Sequence, residues 1–192
     1  YFHPGVVPIY KNARPEEVGR EVRAQIDRAL KARIDVTHID SHMGALQYDA
    51  KYHELYLKIA KDYNLPCRLA GRELMKSHQA DYLIDMADEM GILHPEELFV
   101  GADPPSVEET DAFWTKLLTE RVKPGIVSEI YIHPGLPTPE MKATTSTWEQ
   151  RTADNEFFKK PSTRELIRSL GIELISYREL RELQRTGKPM PR

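Results

Sequence analysis

Val36-Thr37-His38-Ile39-Asp40-Ser41-His42-Met43-Gly44 is the stretch on which the reading of this chain turns. The β-branched residues Val36, Thr37 and Ile39 predict a strand, and the run ends in a knot of ionisable groups. His38 and Asp40 stand two apart, so on a strand they point to one face, and His42 continues that face while the extension holds. Such groups at the end of a buried strand are costly unless paired or metal-bound. The carboxyl ends of strands are also where α/β folds place their sites. A second stretch, Ser128-Glu129-Ile130-Tyr131-Ile132-His133-Pro134-Gly135, repeats the design: an apolar strand, a His at its tip, then a Pro-Gly turn. The two are expected to form two walls of one active site.

Working outward, helices and strands alternate. Residues 1 to 13 read as loop, punctuated by Pro4, Gly5 and Pro8. Asn12 is the expected cap of a helix in which Pro15, Glu16 and Glu17 suit the first turn and Val18, Val22, Ile26, Ala29 and Leu30 recur at helical spacing. After the strand at 35 to 39, a helix is predicted over Lys51 to Tyr63, stopped at Asn64-Leu65-Pro66. Further strands are predicted at Cys67 to Ala70, Leu98 to Val100, Gly125 to Ile132 and Ile172 to Ile175. Further helices are predicted from Asp81 to Met90, from a Ser106–Glu109 capping box through Leu118, from Thr147 to Phe158, from Pro161 to Gly171, and from Tyr177 to Leu183. The tail from Thr186 reads as frayed. Five alternations of strand and helix imply a parallel sheet with right-handed crossovers. Five strands are too few to close a barrel, so the sheet is either open or a barrel whose first units lie outside this chain.

The 192 residues are 40% hydrophobic and 30% charged, with a formal net charge of -3. This is the composition of one soluble globular domain spanning 1–192. The charge balance excludes the basic footprint of a nucleic-acid binder. No apolar run approaches the ~20 residues of a membrane span. The lone Cys67 excludes an intramolecular disulfide and suits a reducing compartment, so a cytoplasmic protein is expected. The start at Tyr1, in a loop-like run, reads as the interior of a longer protein.

Three ionisable groups converging at His38, Asp40 and His42 are hard to explain as packing. Asp40 beside an imidazole could orient it, as the outer partners of metal ligands do. Neutral His and carboxylate suit zinc, while magnesium prefers oxygen. His133 is a candidate general acid or base, because imidazole exchanges protons near neutral pH. Glu129, Tyr131 and His133 share a strand face, and Arg68 is the candidate partner of Glu129. Trp148 could stack on a sugar, with Arg151 and Asp154 paired one turn on. His53, on a helix beside charged residues, is expected in solvent. Phosphate-binding glycine motifs and the serine-hydrolase elbow do not occur.

At Thr37-His38-Ile39-Asp40-Ser41-His42 and Glu129-Ile130-Tyr131-Ile132-His133-Pro134-Gly135 the chain resembles the YdjC-like (ChbG-type) carbohydrate deacetylases. The likeness extends to the helix from Pro15 to Leu30, to Asn64-Leu65-Pro66, to Arg151 through Asp154, and to Gly171 through Arg178. It implies a TIM-like (β/α) barrel fold and removal of acetyl groups from N-acetylated mono- or oligosaccharides of the chitooligosaccharide type. It further implies a divalent metal, magnesium or zinc, with His42 as a ligand and His133 as proton donor to the leaving amine. Asp40 then has a supporting catalytic role, and Arg68, Glu129 and Trp148 form the expected substrate-binding set. A homodimer is the self-association compatible with this picture. The family's Asp-Asp pair and second ligand His are not found in the chain. It is therefore expected to be the carboxyl-terminal part of a family member, inactive if nothing else completes the site. A non-catalytic carbohydrate-binding or regulatory remnant is the alternative.

Overall fold

A computed structural model of the chain describes residues 6–99 and 103–188. These form two compact units, one from residues 6–96 with 175–188 and one from residues 97–99 with 103–174. Both are predominantly helical, and none of the helices among the described residues is long and apolar enough to cross a membrane.

The first unit opens with a helix where a loop is expected. α1 (Val6–Asn12) tolerates Pro8 in its first turn, where no backbone N–H bond is lost, and Asn12 Nδ2 donates to Pro8 O at 2.8 Å. Asn12 thus ends α1 instead of capping α2 (Pro15–Lys31). The cap is Arg14, whose N–H donates to Glu17 Oε2 at 3.2 Å, with Pro15 at the first helical position. The expected stripe packs inward at Ile26, which is buried, and at Val18 and Val22 against the same cluster, but Leu30 at its end is exposed.

α3 (Ala50–Tyr63) is the core of this unit. Asp49 Oδ1 caps it by accepting from Lys51 N–H at 3.1 Å, and Asn64 closes it in the left-handed conformation that Asn tolerates. Tyr52, Tyr56, Leu57, Ile59 and Ala60 on this helix are buried. Two short helices follow, α4 (Arg72–Ser77), which the sequence reading lacked, and α5 (Tyr82–Glu89). α10 (Tyr177–Thr186) returns to this unit, started by a Ser176–Glu179 capping box and ended by Gly187.

Cys67 lies in this core, fully buried, and burial pushes its thiol far above the ordinary range. A thiolate is the reactive form. We expect no reaction with a disulfide exchange reagent in the native protein and a one-thiol absorbance step after denaturant is added. A full native step would place Cys67 at the surface.

The expected sheet is much reduced. Extended backbone at residues 36–39 meets Cys67 in one parallel bridge from Ile39. In the second unit, β1 (Glu97–Leu98) pairs in parallel with β2 (Ser128–Glu129). Both pairings have the parallel sense expected. The long strand over Gly125 to Ile132 is regular only at β2, and Ile172 to Ile175 forms no strand, with Leu174 and Ile175 exposed. β-branched residues favour extension, but a strand also needs a neighbour to take its hydrogen bonds. Expected strand residue Val100 falls outside the described residues.

The second unit packs α6 (Thr110–Glu120), α8 (Trp148–Lys159) and α9 (Pro161–Ser169) around Phe99, Trp114, Leu117, Leu118 and Phe157. Ser106 Oγ does donate to Glu109 at 3.3 Å, but one turn ahead of α6 rather than inside it. Between the H-P-G turn and α8 lies α7 (Pro139–Thr144), capped by Thr138 Oγ1, which accepts from Met141 N–H at 3.2 Å.

Candidate functional site

The first motif is held from three sides within its unit. Ile39 N–H donates to Pro66 O at 3.0 Å, and Ile39 O accepts from Arg68 N–H at 3.1 Å and from the Tyr56 hydroxyl at 2.7 Å. α10 grips the segment from its start: Arg178 and Arg181 both bond the Asp35 carboxylate, and Arg181 Nη1 donates to Val36 O at 2.9 Å. Tyr177, at the head of α10, stacks flat on the His38 ring, centroids 3.8 Å apart. His38 Nδ1 is also 3.0 Å from Thr37 Oγ1.

Among the described residues Asp40 pairs with a guanidinium, not an imidazole. Its Oδ2 accepts from Arg68 Nη1 at 2.6 Å, so two expected site residues bond each other, each side chain a quarter to a third exposed. Charge-assisted pairs of this length are among the stronger hydrogen bonds. Ser41 is buried, and its Oγ accepts from Leu46 N–H at 2.7 Å, which turns the chain into a short 3₁₀ segment over His42–Gly44. Met43 there has φ 54°, a left-handed conformation that costs a non-glycine residue of order 1–3 kcal/mol and recurs at functional sites. Glycine suits the next position: Gly44 has φ 66°, and an added Cβ would lie 2.7 Å from the Tyr48 ring. His42 is exposed. A cleft of about 770 Å³ opens beside the motif, lined by Val18, Val22 and Ile26 of α2 and by His38, Asp40 and His42.

The second motif leaves β2 through half-buried Ile130, Tyr131 and Ile132 to an exposed His133. Tyr131 and His133 meet edge to face, centroids 6.3 Å apart. Gly135 N–H donates to Arg151 O in the first turn of α8 at 3.0 Å. A Cβ on Gly135 would come 2.6 Å from the Met141 methyl, so the turn lies between the Met141 side chain of α7 and the Arg151 carbonyl of α8. Trp148 is half-buried, with Lys142 Nζ 4.4 Å from its ring centroid. The expected Arg151–Asp154 pair does not form. Arg151 Nε donates to Thr147 Oγ1 at 2.9 Å, and Asp154 accepts from Trp114 Nε1 at 2.8 Å.

Catalytic zinc needs about three protein ligands, and among the described residues no group of three His, Cys, Asp or Glu side chains could hold a metal ion. Arg68 engages Asp40, and His38 lies flat against Tyr177. The described residues by themselves do not fit the divalent metal that the resemblance implies.

A family description of YdjC-like proteins matches residues 1–169. The chain belongs to the YdjC-like family. Among curated relatives, this YdjC-like chain is 29% identical over 168 residues to a carbohydrate deacetylase of Thermus thermophilus, covering 87% of the chain and 61% of that protein. It is 27% identical over 175 residues to a carbohydrate deacetylase of Brevibacillus brevis, covering 88% of the chain and 63% of that protein. The chain thus spans less than two thirds of the curated relatives it matches. A crystal structure from Enterococcus faecalis, described as a candidate cellobiose-phosphate cleavage protein, superposes with a TM-score of 0.74. It covers 94% of this chain and 66% of that one at 24% identity. That likeness shows the fold.

Two supporting residues of the YdjC-like chain escape the sequence reading, and a third, Asp154, was read there only as the partner of Arg151. Tyr177 and Arg181 grip the first motif from far along the chain, and no local pattern marks them. Asp154 is buried, and the signal was local: Gln150, Asp154 and Phe157 fall on one face of α8.

Proposed function

We propose that the protein is a hydrolase that removes the acetyl group from N-acetylated sugars of the chitooligosaccharide type. The observation that carries this reading is the exposed His133 on a rigid turn, in a chain whose family relatives include carbohydrate deacetylases. In the reaction, water adds to the acetyl carbonyl, the C–N bond breaks, and the departing amine takes a proton. His133 supplies that proton, a role that imidazole fills near neutral pH. Asp40 and Arg68 act as a mutually neutralised pair that shapes the motif strand, with Arg68, Glu129 and Trp148 as the substrate-contacting set. A divalent ion, magnesium or zinc, would take His42 as one ligand and would need its other donors from outside the described residues. On this reading the parallel pairings belong to a (β/α) barrel-like sheet.

The test is acetate release from N,N′-diacetylchitobiose by the full-length protein. Acetate formed in proportion to enzyme supports the reading, and its absence with every divalent metal tried removes it. A second reading, a carbohydrate-binding remnant without catalysis, is favoured by the lack of a three-donor cluster among the described residues. It predicts saturable sugar binding by calorimetry with no acetate.

A further inference from the structure

A carboxylate taken out of water needs compensation. Asp154 is 6% exposed, and the donors on its Oδ1 are both neutral: Trp114 Nε1 at 2.8 Å and Gln150 Nε2 at 3.0 Å. The same Gln150 Nε2 lies 3.1 Å from Thr110 Oγ1, at the first residue of α6. Apolar packing alone would hold α6 against α8 at lower cost but would permit sliding. A directional bond from a buried indole to a buried carboxylate fixes one register.

That register matters because of what lies one turn earlier on α8. Arg151 O accepts from Gly135 N–H at 3.0 Å, and the Met141 methyl packs beside Gly135 where a Cβ would otherwise stand. His133 precedes Gly135 by two residues, across Pro134, whose φ is fixed by its ring. A slip of α8 on α6 therefore moves the acceptor that anchors the His133 turn. Misplacing a reacting group by about 1 Å can cost on the order of 10²-fold in rate.

We propose that Asp154 and Trp114 are positioning residues for the His133 turn, acting through α8 and the Arg151–Gly135 bond. The consequence for turnover rests on the deacetylase reading above; the consequence for the Gly135 amide does not. The experiment measures hydrogen exchange at the Gly135 amide, and kcat and KM for acetate release from N,N′-diacetylchitobiose. It uses the full-length protein carrying Asp154→Ala, Asp154→Asn or Trp114→Phe.

Asp154→Ala and Trp114→Phe should lower protection of the Gly135 amide by roughly tenfold or more, while the Phe157 amide on the same helix keeps its protection. kcat should fall by a similar factor with KM within about twofold. Asp154→Asn keeps an oxygen for the indole N–H and should restore both readouts. Trp114→Phe keeps an aromatic ring at the site and removes the indole N–H without stranding a buried donor, so it decides the matter if Asp154→Ala does not fold. Unchanged Gly135 protection in Trp114→Phe overturns the proposal, as does an Asp154→Asn protein as impaired as Asp154→Ala. Should the unmodified protein release no acetate, the deacetylase reading fails, and Gly135 exchange still decides for or against the positioning role.

Discussion

Replacing His133 with alanine is expected to lower kcat for acetate release by about 10²- to 10⁴-fold, the range for removing a general acid. KM should stay within about twofold, because the proton is delivered only as the C–N bond breaks and contributes nothing to binding the ground state. The thermal midpoint should hardly move. His133 is exposed, and its ring touches Tyr131 only edge-on at 6.3 Å; surface changes of this kind stay within about 0.5 kcal/mol. An amide whose amine leaves without a proton, such as an acetylated para-nitroaniline, offers a control. On that substrate the deficit of His133→Ala should shrink markedly. If the variant loses less than about threefold on the sugar, or loses equally on both substrates, His133 is not the proton donor.

The helices of this chain were legible because what makes them is local. Pro15, Glu16 and Glu17 start α2, Asn64 stops α3, and Ser176 with Glu179 starts α10, each within a few residues of the helix it controls. The strands were not, because β-branched residues specify only extension. Whether Val36–Ile39 or Ile172–Ile175 becomes a ladder depends on neighbours far off in sequence, and Asp35 and Val36 bond to α10 instead. The motif residues themselves stood out as ionisable groups at strand tips. Their partners did not: nothing near Asp40 points to Arg68, and nothing near His38 points to Tyr177. Two shorter elements could have been read. Thr138-Pro139-Glu140 is a helix start by every rule of capping, yet α7 was missed. His53 falls with Tyr56, Leu57 and Ala60 at spacings of three, four and seven, the buried stripe of α3, although Lys51 and Glu54 beside it suggested solvent.

That misread histidine gives the strongest expected dependence on pH. His53 is fully buried, and neither ring nitrogen has a hydrogen-bond partner among the described residues. The Gln47 backbone nearby acts in the opposite direction and is the smaller of the two influences. Burial therefore dominates and lowers the imidazole from its ordinary 6.5 to about 4. The unfolded chain takes up this proton near pH 6.5 and the folded chain only near pH 4. The contribution of a neutral His53 is thus fully present above about pH 6.5 and is lost progressively as the pH falls toward 4. At about 1.4 kcal/mol per pKa unit, the loss across that window is about 3 kcal/mol. This is a large fraction of the ~5–15 kcal/mol that holds a domain folded. Denaturant midpoints measured at pH 7.5 and pH 4 should show it, and the difference should largely vanish in His53→Leu, which keeps an apolar group at the site. The loss falls on the unit that carries the H-x-D-S-H motif, since Tyr56, one turn on along α3, holds Ile39 O through its hydroxyl. Equal slopes with pH in the native and His53→Leu proteins would mean that burial of His53 does not set the acid sensitivity.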